Sequence, residues 1–140
     1  MKTDKVFIDT NIPMYAAGRD EALKNNCLEV LASIADGKLQ ACTSAEVFQE
    51  ILHRFIHIGD AETGRKIIDE FYVLMKGWIL PVTIDDILAA KVFSEKYPKA
   101  PSRDLLHLAV MKNNGITTIL TVDNHFDMFE EVRRVSPGQH

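Results

Sequence analysis

The chain has 140 residues, of which 46% are hydrophobic and 26% are charged. This length suits one ordinary domain, and the composition is that of a globular protein that buries its own core without disulfides. The formal net charge of −4 argues against a domain that binds nucleic acid through bulk positive charge alone. It leaves room for an enzyme that gathers carboxylates around a metal ion.

No apolar run approaches the ~20 residues that a membrane-spanning helix requires. The longest, at residues 105–111, is interrupted by His107. The N-terminus passes directly into an apolar run that starts at Val6, without the features of a secretion signal. Cys27 and Cys42 are not spaced for a metal site and favour buried thiols in a reducing compartment. We therefore expect a cytoplasmic protein with no membrane contact.

Short apolar runs alternate with segments of helical periodicity along the chain. The apolar runs predict strands at 6–9, 39–43, 78–82 and 117–122, with a possible edge strand at 132–135. The periodic segments predict helices at 20–36, 43–58, 61–76, 83–97, 102–113 and 124–131. Strands separated by helices need crossover connections, so we predict a three-layer α/β/α sandwich with a mainly parallel central sheet. We expect one domain over residues 1–140.

Polar residues at the predicted helix starts match capping signals. Thr43 with Glu46, and Thr83 with Asp86, have the spacing of a capping box. Ser102 is predicted to cap the helix that follows it.

Three aspartates are candidates for a functional site. In open parallel sheets, ligands bind beyond the carboxyl ends of the strands. Asp9 ends the first predicted strand and Asp123 follows the fourth, although each taken alone is explained equally well as a helix cap. Asp104 lies in a helix that is apolar nearly all round, where a buried carboxylate needs a partner. A favourable interaction with the helix dipole is its simpler explanation.

Glu50 is a fourth acidic candidate, on the helix after the second strand. Taken alone, it is more simply explained by an ion pair with Arg54, four residues later. Carboxylates that lie together disfavour one another's ionisation unless a cation lies among them. An oxygen ligand set without cysteine favours Mg²⁺ or Mn²⁺ over zinc, and such ions serve phosphodiester or phosphate hydrolysis.

Four segments, in order, resemble the motifs of a known family. Residues 7–12, Phe-Ile-Asp-Thr-Asn-Ile, resemble its opening motif, a hydrophobic strand that ends in Asp-Thr-Asn or Asp-Ser-Asn. The segment 43–50, which carries Glu50, resembles the second motif, residues 103–109 the third and residues 120–126 the fourth. Over nearly its whole length the chain thus resembles the PIN-domain family, and within it the small toxins of VapC type.

The resemblance implies an α/β/α sandwich in which four acidic residues converge to bind Mg²⁺ or Mn²⁺, namely Asp9, Glu50, Asp104 and Asp123. It implies that Asn11 and Thr121 order the acidic cluster and that Arg103 holds a phosphate. It further implies a metal-dependent endoribonuclease that acts on RNA, commonly as a homodimer, and often as a toxin inhibited by a small antitoxin.

The chain departs from the family pattern just after the fourth acid. Many relatives carry a second Asp or Arg there, where this chain has Asn124 and His125. Asp127 either compensates for this difference or caps the helix. The number of bound ions, one or two, stays open.

Three other functions compete with this interpretation. A haloacid-dehalogenase-like phosphatase needs a second Asp two residues after the first, where this chain has Asn11. A di-metal carboxylate oxidase fits the Glu-x-x-His at 50–53, but its four-helix bundle contradicts the predicted strands. A catalytically silent PIN-like binding module would be free to lose the four acids. Among the histidines, His53 and His57 are interpreted as a solvated face, and His107 as a core residue.

Overall fold

A five-stranded parallel sheet forms the centre of the computed structural model, which describes residues 3–140. Its strands are β1 (Thr3–Ile8), β2 (Ala41–Ser44), β3 (Ile79–Leu80), β4 (Ile116–Leu120) and β5 (Arg133–Val135). They lie in the order β3-β2-β1-β4-β5, and every neighbouring pair is parallel. The predicted parallel sheet is confirmed, including β5, the edge strand predicted near the C-terminus of the chain.

Six helices flank the sheet. They are α1 (Asn11–Ala16), α2 (Glu21–Ala35), α3 (Ala45–His57), α4 (Ala61–Met75), α5 (Ile84–Lys96) and α6 (Ser102–Asn113). Two 3₁₀ turns follow, at Asn124–Met128 and Pro137–Gln139. Helix α5 packs against α6, whereas the first four helices contact one another, which gives the α/β/α layering. Among residues 3–140, no helix is both long and apolar enough to cross a membrane.

The strand order reverses between β1 and β4. From β1 the chain adds β2 and β3 on one side, and then β4 and β5 on the other. Right-handed crossovers in opposite directions place their helices on opposite faces, which leaves a crevice outside the carboxyl ends of β1 and β4. Ile8 pairs with Leu120, and the Asp9 N–H donates to the Leu120 carbonyl at 3.2 Å. The polar residues after these two strands therefore meet at the crevice.

Helix α6 and the two central strands supply much of the core. As predicted, α6 is buried, with residues 108–111 fully shielded and Leu105 only 5% exposed. Phe7 and Ile119 are also fully shielded, because a parallel sheet is covered by helices on both faces. A buried carboxylate or imidazole on α6 is thus held in a rigid, largely dry environment.

The prediction that Thr43 and Glu46 form a capping box is wrong. Thr43 lies inside β2, and its hydroxyl donates to the Ile8 carbonyl of the neighbouring strand at 3.0 Å. Helix α3 begins after Ser44, which makes no side-chain capping bond. The Thr43 hydroxyl bonds across the sheet because tertiary pairing places a buried carbonyl beside it.

Two further sequence predictions at helix starts have opposite outcomes. Ser102 is the first residue of α6 rather than its cap, because Pro101 occupies the N-cap position and its carbonyl accepts from the Asp104 N–H at 3.1 Å. The capping box of Thr83 and Asp86 is present, with the Thr83 N–H donating to the Asp86 carboxylate at 2.8 Å.

Helix α1 was not predicted from the sequence. It has six residues, includes Pro13 and has no side-chain capping bond, so it is too short to show a repeated apolar period. The strand predicted at 78–82 is reduced to Ile79–Leu80, at the edge of the sheet. Short edge strands limit unwanted pairing between molecules.

We expect Gly64→Ala to destabilise the fold, although alanine normally favours a helix interior. A Cβ at Gly64, in α4, would lie 2.6 Å from the Phe55 Cβ of α3. The resulting overpacking should lower the free energy of unfolding by about 1–3 kcal/mol, measured by urea denaturation. In a Phe55→Gly background, which removes the Cβ atom that the new alanine would meet, the penalty should largely vanish. An equal penalty in both backgrounds would contradict close packing of α3 on α4.

Candidate active site

All four predicted acidic residues line one cavity at the carboxyl ends of the central strands. The cavity has a volume of about 520 Å³ and receives residues from the loops after β1 and β4, from α3 and from the start of α6. The acidic lining residues are Asp9, Glu46, Glu50, Asp104 and Asp123. Asn11 and Arg103 also line it, whereas Thr121 is fully buried behind it.

Asp9 accepts more hydrogen bonds than the other three predicted acids. It is 6% exposed, and its two oxygens accept from the Thr10 N–H and from the Thr121 hydroxyl, each at 2.7 Å. Burial raises the pKa of Asp9, while the positive charge of His107 and these two hydrogen bonds oppose the rise. A buried carboxylate without such donors would be strongly unfavourable.

Thr121 and Asn11 join the loops after β4 and β1. The Thr121 hydroxyl accepts from Asn11 Nδ2 at 2.8 Å and from the Asp123 N–H at 3.0 Å, in addition to donating to Asp9. The Asn11 side-chain oxygen accepts from the Val122 N–H at 3.1 Å. One donated and two accepted bonds fill the capacity of a hydroxyl. Asn11 and Thr121 thus have the contacts needed to order the acidic residues.

Glu50 does not pair with Arg54, so the simpler explanation offered for it is wrong. Its Oε2 accepts from the Thr10 hydroxyl at 3.0 Å, and its Oε1 contacts His107 Nε2 directly. Burial alone would raise the pKa of Glu50, but the contact with His107 and the bond from Thr10 hold that pKa below its usual value.

His107 lies in the core, as expected, but it also contacts two of the acids. Its ring packs against Phe7, and Nε2 lies 3.8 Å from Asp9 Oδ1 as well as against Glu50. Burial alone would lower the pKa of His107, yet the charges of Glu50, Asp9 and Asp104 keep that pKa above its usual value. Its position three residues after Asp104, on the same helix, was the sequence signal for this role.

Asp104 and Asp123 form a tight group with His125. One ligand atom from each lies within 4.8 Å of the other two. Burial, followed by the charges of Asp9 and Asp123, raises the pKa of Asp104 to about 6. Asp123 also caps the 3₁₀ turn, since its Oδ1 accepts from the His125 N–H at 2.8 Å, so capping and clustering occur together.

The donor set of this group fits a divalent cation. Carboxylate and imidazole groups are common ligands of such ions, and a cation would offset the burial and the repulsion that keep Asp104 protonated to higher pH. Within residues 3–140, Asp9 and Glu50 lie outside the three-residue group. The structure therefore brings the four predicted acids to one cavity in two pairs. Asp9 and Glu50 form one pair, and Asp104 and Asp123 form the other, with His125 beside them.

Cationic and imidazole side chains from α3 also line the cavity. His53, Arg54 and His57 extend from α3, and the rings of the two histidines are nearly parallel, with centroids 6.4 Å apart. Both rings are exposed, as predicted for a solvated face, but the cavity location was missed. Their signal was a spacing of three and seven residues from Glu50, which places them on its helical face.

Asp127 does not line the cavity. Its carboxylate accepts from Arg134 at 2.9 and 3.2 Å on the exposed side of the turn. It therefore neither caps the turn nor replaces an acidic residue at the site.

Comparison with known proteins gives relatives over most of the chain. A profile of the PIN domain family matches residues 6–132. Ribonuclease VapC23 of Mycobacterium tuberculosis is 34% identical over 119 residues, which cover 85% of this chain and 93% of that protein. Ribonuclease VapC13 of the same species is 31% identical over 131 residues, covering 94% and 99% respectively. The fold is similar to a solved toxin–antitoxin complex from Klebsiella pneumoniae, with 16% identity, a TM-score of 0.64, and coverage of 97% and 100%.

We expect Thr121→Val to destabilise the fold by about 1–3 kcal/mol, because it leaves the buried Asp9 carboxylate short of a donor. The substitution keeps the shape of the side chain and removes only the hydroxyl. Urea denaturation measures the change. Thr118→Val, within β4 and outside the site, is the matched control and should change the free energy of unfolding much less. Equal effects of the two substitutions would contradict the bonding described for Thr121.

We expect Asp104→Asn to stabilise the metal-free protein at pH 7.5. Because the folded pKa of Asp104, about 6, lies above its ordinary value of 3.8, the folded state binds this proton more tightly than the unfolded state. The ionised carboxylate thus costs stability above about pH 6, and the cost disappears as the pH falls toward 3.8.

Urea unfolding in EDTA at pH 7.5 and at pH 4 measures this difference. Asp104→Asn should exceed the parent in stability at pH 7.5 and match it at pH 4. The exposed Asp69→Asn is the control and should show no such pH dependence. A variant that is less stable than the parent at pH 7.5 would show that the ionised Asp104 carboxylate does not cost stability in the folded protein.

Proposed function

The chain belongs to the PIN-domain family, and on that basis we propose that it is a metal-dependent endoribonuclease and the toxin of a toxin–antitoxin pair. Both relatives named above are ribonucleases, and the chain spans nearly their full length. The proposal covers one PIN-like domain over residues 1–140 that acts in the cytoplasm, where RNA is available as the substrate.

The observation that carries this proposal is the mixed lining of the cavity. Its carboxylates are available to a cation, and Arg54 and Arg103 line the same cavity and are available to phosphate groups. A phosphodiester chain needs both, since the cation and the guanidinium groups together balance its negative charge. Because the net charge of the chain is −4, this local arrangement matters more than bulk charge for binding RNA.

In this proposal Asp9, Glu50, Asp104 and Asp123 hold Mg²⁺ or Mn²⁺. When bound, such an ion polarises a phosphoryl oxygen and lowers the pKa of water beside it. Asn11 and Thr121 orient Asp9 through the hydrogen bonds between the two loops.

The other side chains of the cavity act on the substrate and on Glu50. Arg103, next to Asp104 and exposed at the mouth, binds a phosphate of the RNA. Thr10 and His107 fix the Glu50 carboxylate through its two oxygens, so that it keeps one orientation toward the cavity.

We propose a small antitoxin protein and a second copy of the chain as its partners. The similarity to a solved toxin–antitoxin complex supports the first. An apolar stripe on α5 supports a contact surface for the second, because its side chains are 46–68% exposed and share one helical face. The stripe consists of Ile84, Ile87, Leu88 and Val92.

We expect purified protein to cleave single-stranded RNA of mixed sequence with Mn²⁺ or Mg²⁺ and not with EDTA. Asp104→Asn should reduce the rate at least about a hundredfold, because it weakens several kcal/mol of cation-mediated stabilisation. Gel analysis of the RNA measures this. Asp69→Asn makes the same chemical change on the exposed face of α4 and should keep the parent rate.

Two results would contradict the proposal. Cleavage that persists in Asp104→Asn or in EDTA would indicate a contaminating nuclease or another site. An absence of both cleavage and metal binding in the parent would favour the silent binding module instead.

A further inference from the structure

We propose that His125 is a ligand of the cation, together with Asp104 and Asp123, so that the site combines nitrogen and oxygen donors. The inference deepens the proposed function and rests on it, since both need a cation in this cavity. It assigns a role to a residue at which the chain departs from the family pattern.

The spacing of the three side chains supports a shared ion. Their ligand atoms lie within 4.8 Å of one another. Ligands about 2.0–2.2 Å from one ion can be at most about 4.4 Å apart. Adjustments of a few tenths of an ångström therefore bring all three into range.

The backbone of His125 is anchored while its ring stays adjustable. Its N–H donates to Asp123 Oδ1 at 2.8 Å, and the next residue, Phe126, is buried and packs edge-on against Phe129. The His125 side chain itself is 67% exposed, so packing does not lock the ring in place. The ring can therefore turn toward Asp104 and Asp123 without a movement of the backbone.

Asp9 and Glu50, which are also proposed to hold the ion, are already oriented by protein donors. The oxygens of Asp9 accept from Thr10 and Thr121, and those of Glu50 contact Thr10 and His107. Each carboxylate oxygen keeps a further lone pair that is available to an ion. In this proposal His125 adds a nitrogen donor beside Asp104 and Asp123.

A simpler explanation of the His125 position is a surface contact with Asp123, because His125 Nδ1 lies 3.1 Å from the same oxygen. The two explanations differ in their consequences for metal choice. Imidazole nitrogen favours transition-metal ions, whereas Mg²⁺ prefers oxygen donors alone. A ligand role thus predicts tighter binding of Mn²⁺ than of Mg²⁺, and a surface contact predicts no such dependence on His125.

The test measures Mn²⁺ binding to the full chain in two ways. Calorimetry gives the affinity, and pulsed electron paramagnetic resonance detects nitrogen bonded directly to Mn²⁺. We expect nitrogen coupling in the parent, its loss in His125→Ala, and an increase of at least about tenfold in the Mn²⁺ dissociation constant. His125→Asp should regain affinity through oxygen without regaining nitrogen coupling. His53→Ala, the same change at a histidine of the cavity lining, should preserve both affinity and coupling.

The outcomes separate this inference from the proposed function. Mn²⁺ bound without nitrogen coupling, with equal affinity in the parent and in His125→Ala, would overturn the ligand role and leave the nuclease proposal standing. Coupling that survives in His125→Ala but is lost in His53→Ala would overturn the proposal, because it would show that His53 is the nitrogen ligand. No Mn²⁺ binding to the parent would overturn both proposals.

Discussion

The buried carboxylate of Asp9 is the constraint on which the rest of the site depends. A carboxylate at 6% exposure is tolerated only when hydrogen-bond donors surround it. Thr10, from the same loop, and Thr121, from the loop after β4, supply those donors. The two loops must therefore meet, and they meet because β1 and β4 are neighbours where the strand order reverses. The need to satisfy one charge thus ties the topology of the sheet to the geometry of the cavity.

Two histidines divide the acidic residues into pairs with different environments. His107, from the buried helix α6, contacts Glu50 and lies near Asp9, and it is held rigidly by the core. An exposed imidazole, His125, lies beside Asp123 on a surface turn. The first pair is positioned by the protein itself. The second pair has fewer donors, and burial, followed by the charges of Asp9 and Asp123, raises the pKa of Asp104; a cation nearby would offset both effects.

Much of the fold was predictable because it follows from local periodicity. The apolar runs and helical segments predicted the parallel sheet and five of the six helices, and the spacing of Thr83 and Asp86 predicted a real capping box. Errors occurred where a local signal competed with a tertiary partner. Thr43 resembles a helix cap in the sequence, yet its hydroxyl bonds to the Ile8 carbonyl on the next strand. The six-residue α1 was missed because it is shorter than two helical turns.

For the site, the sequence by itself determined which residues follow the strand ends and hence that Asp9, Asp104 and Asp123 are near one cavity. Strand ends and helix starts are local features, and a parallel sheet brings them to one edge. Only the tertiary structure decided what each acid contacts. The contact of Glu50 with His107, rather than with Arg54, joins α3 to α6 across a separation of 57 residues in the sequence. Such contacts depend on how helices pack around the sheet, and spacing along the chain carries no record of that packing.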